Sequence, residues 1–472
     1  MNTILLQPTD VLFFRDGRPM TGSLAGHGAA WPLPNVINAA FHAALHRGFP
    51  VEHNSLRGVS VTQYGDHVHK IVRMNKDGRR ETSDNGRHRR FGSLVTAGPF
   101  PVSGEHRWFF PRPLDLQDAT LSPALLPTPS REGTSASSLP KPLLYAAANR
   151  LRATKESTAK GWLSQEAFAA YLRNKDDFGL DGHALNDAEF CDQEHNIGIE
   201  IEPATGTTGR GEATGRFYSA HYLRLRDRER WRLGLLADCA KAEDARLLDN
   251  LLTDNACIVV GGQQRICTAR SAQELPAQRL PVGLKLPADY RISDGKALVK
   301  WVLLSPAIWP EMREGPSHRG TQRTSHPGGW LPNWVDPETG AVLLRSVAQE
   351  ERKRRRSVNA TGQGYRSLDG ADAISANLVA AIIPKPLVVT GWALPDEAAG
   401  ERGGAQSTQL AVPAGAVYYF EAANQEEAAN LAAALNWHGS ESNPTAIKNR
   451  RSTLLGEKGF GLGVCGTWDF CD

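Results

Sequence analysis

Chemically useful residues are densest near the end of the chain, in Gly456-Glu-Lys-Gly459-Phe-Gly461-Leu-Gly463-Val-Cys-Gly466: five glycines in eleven positions, with one lysine and one phenylalanine. Glycine accepts positive φ without steric cost and lets backbone N–H groups approach an anion. The spacing suggests a loop shaped around phosphate. Gly461, Gly463 and Gly466 also spell the dinucleotide fingerprint G-x-G-x-x-G. That fingerprint needs a following helix, a second strand and a downstream acidic residue, and only six residues follow Gly466. The expectation is a polynucleotide-backbone loop, not a nicotinamide or flavin site.

A second constellation lies near the start. Phe13-Phe14-Arg15-Asp16-Gly17-Arg18-Pro19 places two guanidiniums at a turn, where Arg offers planar, bidentate recognition of phosphate and Asp16 can orient one of them. The bland alternative is an exposed ion pair worth at most about 1 kcal/mol. His42 and His46 share one helical face, as zinc ligands do, but Ala43 stands where H-E-x-x-H has its glutamate. A surface pair is the expectation, and no metal is assigned. No G-x-S-x-G elbow or phosphate-binding G-x-x-x-x-G-K-[ST] loop occurs. Trp330 and Trp334, near His318, Arg319, Arg323 and His326, either stack bases or pin a loop to the core.

These residues sit on a chain of 472 residues, about three typical domains long. The net charge is +3, too small to mark the whole molecule as a nucleic-acid binder. Its distribution says more. Residues 70–112 hold ten Lys/Arg against four Asp/Glu, including Arg89 and Arg90, and residues 345–366 hold seven against two, including Arg354 and Arg355. Residues 166–202 reverse the balance, two against ten. Such asymmetry suggests contact faces of opposite sign, an acidic one for a protein partner. Six cysteines without a C-x-x-C pair fit reduced thiols in the cytoplasm, and apolar runs are too short for a membrane helix.

The periodicities predict strand segments at 3–6 and 11–14, and a helix from Pro34 with Val36, Ile37, Ala40, Phe41, Ala44 and Leu45 inward and Asn38, His42 and His46 on another face. They predict a strand at 58–64, a basic insertion or hairpin to Arg90, loop over 115–160 and a helix over 162–174. Strands follow at 197–201, 216–226 and 256–260, around a helix at 242–252. A second unit has strands at 298–304, 384–394 and 415–421, a capping box at Asn424–Glu427 opening a helix, and a terminal strand. The long stretch 305–375 reads as insertion. The fold class is α+β: two ferredoxin-like (RRM-like) domains with long loop insertions, divided as 1–285 and 286–472.

The segment Leu6-Gln-Pro-Thr-Asp-Val-Leu-Phe-Phe-Arg-Asp-Gly-Arg-Pro19 resembles the opening of subunit three of the Cmr module, a RAMP protein of type III-B CRISPR effectors. Further matches come in order: Asn196–Ile201 with Gly215–Tyr218, Gly261-Gly-Gln-Gln-Arg265, Lys385–Trp392, Val412–Phe420 and the glycine-rich end. The resemblance implies a non-catalytic subunit without cofactor, holding the repeat-derived 5′ tag of the guide RNA (crRNA). It would dock on the large polymerase/cyclase-type subunit and on the backbone RAMP subunit of the filament, with target RNA passing nearby. Carried over, Arg15 and Arg18 match the N-terminal motif, and Lys458, Gly459, Phe460, Gly461 and Gly463 match the RAMP glycine-rich loop. Arg89, Arg90, Arg354 and Arg355 would follow guide or target strand. The alternative is a metal-independent RAMP endoribonuclease using His27, His42 or His46.

Overall fold

The computed structural model describes residues 1–14, 24–26, 31–49, 60–64, 67–74, 80–82, 91–104, 106–116, 125–126, 139–147, 159–175, 177–199, 201, 206–207, 217–227, 229–253, 255–272, 280–316, 322–323, 325–346, 373–393, 404–405 and 407–471. Its main elements begin with β1 (Asn2–Pro8), α1 (Pro34–Gly48), β2 (Leu94–Ser103), β3 (Arg107–Pro111), β4 (Trp162–Ser164), α2 (Gln165–Leu172), β5 (Cys191–Ile199), β6 (Phe217–Leu225), β7 (Trp231–Cys239) and α3 (Ala242–Leu252). They continue with β8 (Ala256–Val259), β9 (Ile266–Ser271), β10 (Lys296–Leu303), β11 (Ala376–Ile382), β12 (Val417–Ala422), α4 (Gln425–Leu435) and β13 (Gly463–Thr467). Among the described residues no helix is long and apolar enough to cross a membrane.

The chain divides into two compact units that interleave in sequence: Met1–His106, Asp187–Glu274 and Val388–Gln409 form one, and Arg107–Asn186, Leu275–Leu387 and Leu410–Asp472 the other. In the first unit the antiparallel sheet runs β8-β9-β1-β7-β2. With β8 set aside, that is the fourth-first-third-second order of a ferredoxin-like β-α-β-β-α-β unit, α1 and α3 being its two crossovers. The sheet forms because β1 and β7 are nearly continuous apolar runs: Ile4, Leu5, Leu6, Leu233, Leu235 and Leu236 are all buried. Pro34 opens α1 where its missing N–H costs nothing, and Ile37, Phe41 and Leu45 are fully buried.

The buried face of α1 is wider than its apolar stripe. Asn38, expected on another face, is buried and donates to Thr96 Oγ1 at 3.3 Å. His46 is buried too, edge-on to Phe91 at 5.0 Å, so the expected surface pair is half-submerged. Between β2 and β7 the antiparallel hairpin β5–β6 is inserted, with residues 24–26 running parallel to β6. Residues 11–14 form no strand of their own; Leu12 exchanges one pair of 2.8 Å backbone hydrogen bonds with Leu223. The basic segment beyond 58 forms a small three-stranded sheet of residues 60–64, 67–74 and 80–82.

The second unit repeats the strand order as β13-β10-β12-β11, again fully antiparallel. Its second crossover is α4; among the described residues the first is irregular chain around Trp309, Leu331, Val335 and Val342, all buried. Asn424 Oδ1 caps α4 by accepting the Glu427 N–H at 2.9 Å, but Glu427 turns to Ser375 N (2.6 Å). Ala428, Leu431, Ala432 and Leu435 are completely buried, as their spacing predicts, and each leucine contributes about 2 kcal/mol. Two expected spans shift. Residues 162–164 are strand, and Ser164, accepting from Ala167 N, starts α2 only at 165. The span 384–394 holds only the short strands Leu387–Val389 and Trp392–Ala393, each in a separate two-stranded sheet, and the strand that joins this unit's main sheet lies upstream at Ala376–Ile382.

A buried polar cluster ties these layers. Asp115 accepts from Tyr171 (2.8 Å to each oxygen) and Tyr419 (2.7 Å), and the Lys300 ammonium lies 3.6 Å from the Tyr171 ring centroid. Burial, reinforced by Asp115, pushes both phenols well up, so they remain donors.

Candidate nucleic-acid interface

The glycine-rich segment begins as a short 3₁₀ turn at Gly456–Lys458, flanked by Leu455 (φ 57°) and Gly459 (φ 91°) in left-handed conformation, and passes through Gly461 (φ 73°) into β13. Its donors are already engaged. The N–H groups of Lys458 and Phe460 donate to Leu455 O (2.9 and 3.3 Å), and Gly459 to Gly456 O (3.1 Å). Gly461 donates to Pro306 O (2.7 Å) and Leu462 to Ser305 Oγ (2.9 Å). Five consecutive amides are thus engaged, three within the loop and two by residues 305–306, and are unavailable to a phosphate in this conformation.

The glycines have packing reasons. A Cβ on Gly461 would lie 2.1 Å from Ser452 N, one on Gly463 2.3 Å from Trp301 Nε1, and one on Gly466 2.6 Å from Leu172 O. Phe460 is fully buried. Its ring braces the loop and cannot stack on a base. Of the side chains assigned to this loop, only that of Lys458 reaches solvent; it makes no hydrogen bond or ion pair among the described residues.

A neighbouring basic segment escaped the sequence reading. Gly456 sits beside Arg450, whose Cβ would be 3.6 Å from a Cβ placed there. The Arg451 N–H donates to Gly461 O (2.7 Å), while its Nε donates to Ala434 O (2.7 Å) at the end of α4. Lys448 pairs with Glu441, holding that carboxyl below its usual range. The signal was available: Lys448-Asn-Arg450-Arg451 is a basic run seven to ten residues before Lys458. Below it, Gly283 N donates to His438 Nε2 at 3.3 Å, and burial pushes that imidazole down to about 3. His438 is a neutral structural acceptor.

In the first unit the approach to the Arg15–Arg18 motif is anchored by the Gly261–Arg265 turn. Gly262 N donates to Phe13 O (2.9 Å), and a Cβ on Gly261 would lie 2.4 Å from that oxygen. Gln263 (φ 56°) and Gln264 (φ 51°) hold the left-handed conformations of a tight hairpin turn. Tyr222 donates to Gln263 Oε1 (2.7 Å), and the Arg265 guanidinium stands 5.0 Å from the Tyr222 ring centroid. Arg224 bridges Asp10 and Glu194, and Arg226 clamps Asp192 at 2.6–2.9 Å. Three widely separated segments of the chain therefore meet here. Their charges neutralise one another.

Arg15, Arg18, His27, Arg89, Arg90, Arg354 and Arg355 lie outside the described residues. His42 is half-buried, its ring 6.5 Å from that of His46. Trp330 and Trp334 are partly buried against the core, Trp334 stacked on Phe420 at 6.0 Å and edge-on to Trp301 at 5.6 Å, so they pin the long insertion. Among the described residues no three His, Cys, Asp or Glu side chains converge as metal ligands do.

A family model described as "CRISPR-associated protein (Cas_Cmr3)" matches residues 4–468. Comparison with curated proteins finds no match. Among solved structures, two chains of the type III-B Cmr-beta complex bound to cognate target RNA, one also with AMPPnP, each share 12% identity, covering 88% of this chain and 86% of theirs at a TM-score of 0.38. A chain of the Csm3-Csm4 subcomplex of the type III-A interference complex shares 10% identity, with 89% and 92% covered and a TM-score of 0.34.

Proposed function

Since the chain belongs to the CRISPR-associated Cas_Cmr3 family, we propose that it is a non-catalytic guide-RNA-binding subunit of a type III-B effector. In this role it holds the repeat-derived 5′ tag and docks on the large polymerase/cyclase-type subunit and on a backbone RAMP subunit. The observation that carries this reading is the family match along almost the entire chain, through both units and the glycine-rich end.

The geometry refines how RNA would be held. The glycine-rich loop is a support whose amides are already hydrogen-bonded, so the contacts fall to the side chains on its rim: Lys458, with Arg450 beside it. Arg15 and Arg18, following the anchored Phe13–Phe14, are the second set, and the arginine-rich loops extend the track. Neutralising about five phosphates of a single strand gives a log–log salt slope near −3.5.

The test is tag-RNA affinity of the assembled complex carrying Arg15→Glu and Lys458→Glu. A loss of tenfold or more, with unchanged thermal stability, is expected; unchanged affinity refutes the assignment. Incubation of the purified chain with repeat RNA in EDTA addresses catalysis, and cleavage abolished by His27→Ala or His42→Ala would make the subunit an endoribonuclease.

A further inference from the structure

The acidic stretch does not present an acidic face where the structure describes it in β5. Glu194 is held by Arg224 of β6 and Asp192 by Arg226 just beyond its end. The opposite face of β5 carries Ile197 and Ile199, with Ile201 continuing the alternation; these are 59%, 55% and 59% exposed. His195 stands on the same face, opposite His221, the two rings stacked at 4.5 Å, and His195 Nε2 lies 2.5 Å from Ser219 Oγ. Among the described residues β5 pairs only with β6, and none of them pairs with its outer edge. An unpaired edge bearing β-branched side chains at alternate positions is what folded proteins otherwise avoid or charge.

We propose that this edge and its isoleucine face are the docking surface for an extended strand of a neighbouring protein subunit. The inference rests on the reading of the chain as one member of a multi-subunit effector, and it names one of the partner surfaces. Two arguments choose the occupant. The carboxylates are already held by arginines, and the three exposed isoleucines beside the stacked His195–His221 pair offer an apolar strand both main-chain hydrogen bonds and side-chain burial. The three isoleucines make a patch on the order of 300 Å², well short of the roughly 800 Å² per partner of a self-sufficient interface. A second copy held here alone would not stay bound; a subunit fixed to this chain elsewhere would.

The experiment follows amide hydrogen exchange of residues 193–199 in the isolated chain, after assembly with its co-expressed protein subunits, and after adding guide RNA, with RNA affinity measured on the same samples. Exchange should slow at least tenfold on protein assembly alone, and Ile197→Glu/Ile199→Glu should abolish that slowing without changing the melting temperature. Three outcomes overturn the proposal: no slowing in a complex that has formed, slowing only after guide RNA is added, or concentration-dependent slowing in the isolated chain. Protection with no RNA affinity instead refutes the guide-binding reading and leaves the docking surface standing. Failure to co-assemble at all sinks both.

Discussion

Replacing Gly461 by alanine separates a loop that grips phosphate from one that braces the fold. The new Cβ would stand 2.1 Å from Ser452 N, 2.7 Å from Ser452 Cβ and 2.8 Å from Arg451 C, all short of the 3.4 Å at which ordinary contact begins. Two of these three atoms are backbone, so the 451–452 segment must retreat by about 1.3 Å at the closest point. The hydrogen bonds of that segment put at stake include Arg451 N to Gly461 O (2.7 Å), Ile308 N to Ser452 Oγ (2.7 Å), Ser452 Oγ to Leu454 O (2.6 Å), and Trp309 Nε1 to Arg451 O (2.8 Å). Losing two or three at about 1 kcal/mol each, plus 1–2 kcal/mol, roughly, for alanine at positive φ, gives a destabilisation of about 4 kcal/mol. At roughly 2–4 °C per kcal/mol for a unit of this size, scanning calorimetry should show the transition falling by about 10 °C. Tag-RNA affinity, measured well below that transition, should change less than threefold. A variant that melts within 2 °C of the parent yet binds RNA tenfold more weakly would refute the reasoning and return the glycines to the phosphate.

Lys458→Ala should do the opposite: leave the melting temperature within about 1 °C and lower the salt slope of RNA binding by about 0.7, the share of one phosphate, read by titration at several salt concentrations. Acid should weaken the second unit through His438, whose imidazole is held near 3 against an ordinary 6.5. The unfolded chain binds the extra proton between those values, so this stability is complete above pH 7 and declines as pH falls, by about 2 kcal/mol at pH 5. Denaturant titrations at pH 5 and 7.5 should show the difference shrink in His438→Gln. Asn424→Ala removes the α4 cap and should cost about 1 kcal/mol by denaturant midpoint, with Asn424→Gly milder.

Legibility in the sequence followed the strength of local signals. Helices α1, α3 and α4 were readable because apolar spacing, an opening proline or a capping asparagine all agreed. Strands β2 and β7 were not. Gly98, Pro99 and Pro101 interrupt the first, and Trp231–Cys239 is buried on both faces, so it shows no alternation. Ala376–Ile382 is alanine-rich and hides its strand, while Leu387-Val-Val389 imitates a longer one. At the site, the sequence exposed where the glycines are but not which way their amides turn. That direction is set by Pro306, Ser305 and Ser452, more than a hundred residues away in the first two cases. Arg450 and Arg451 gained meaning only once they were seen against the loop.

The interleaving of the second unit bears on how the chain comes off the ribosome. Gly466 of β13 is bare so that the Leu172 backbone can lie against it, and these two residues are 294 positions apart. Translation at roughly 5–20 residues per second separates their appearance by about 15 to 60 seconds. Throughout that interval α2 has no final seat, while β1, α1 and β2 of the first unit are already made. Residues 107–186 are thus a dependent segment during synthesis, and chaperone capture or truncation should strike there first.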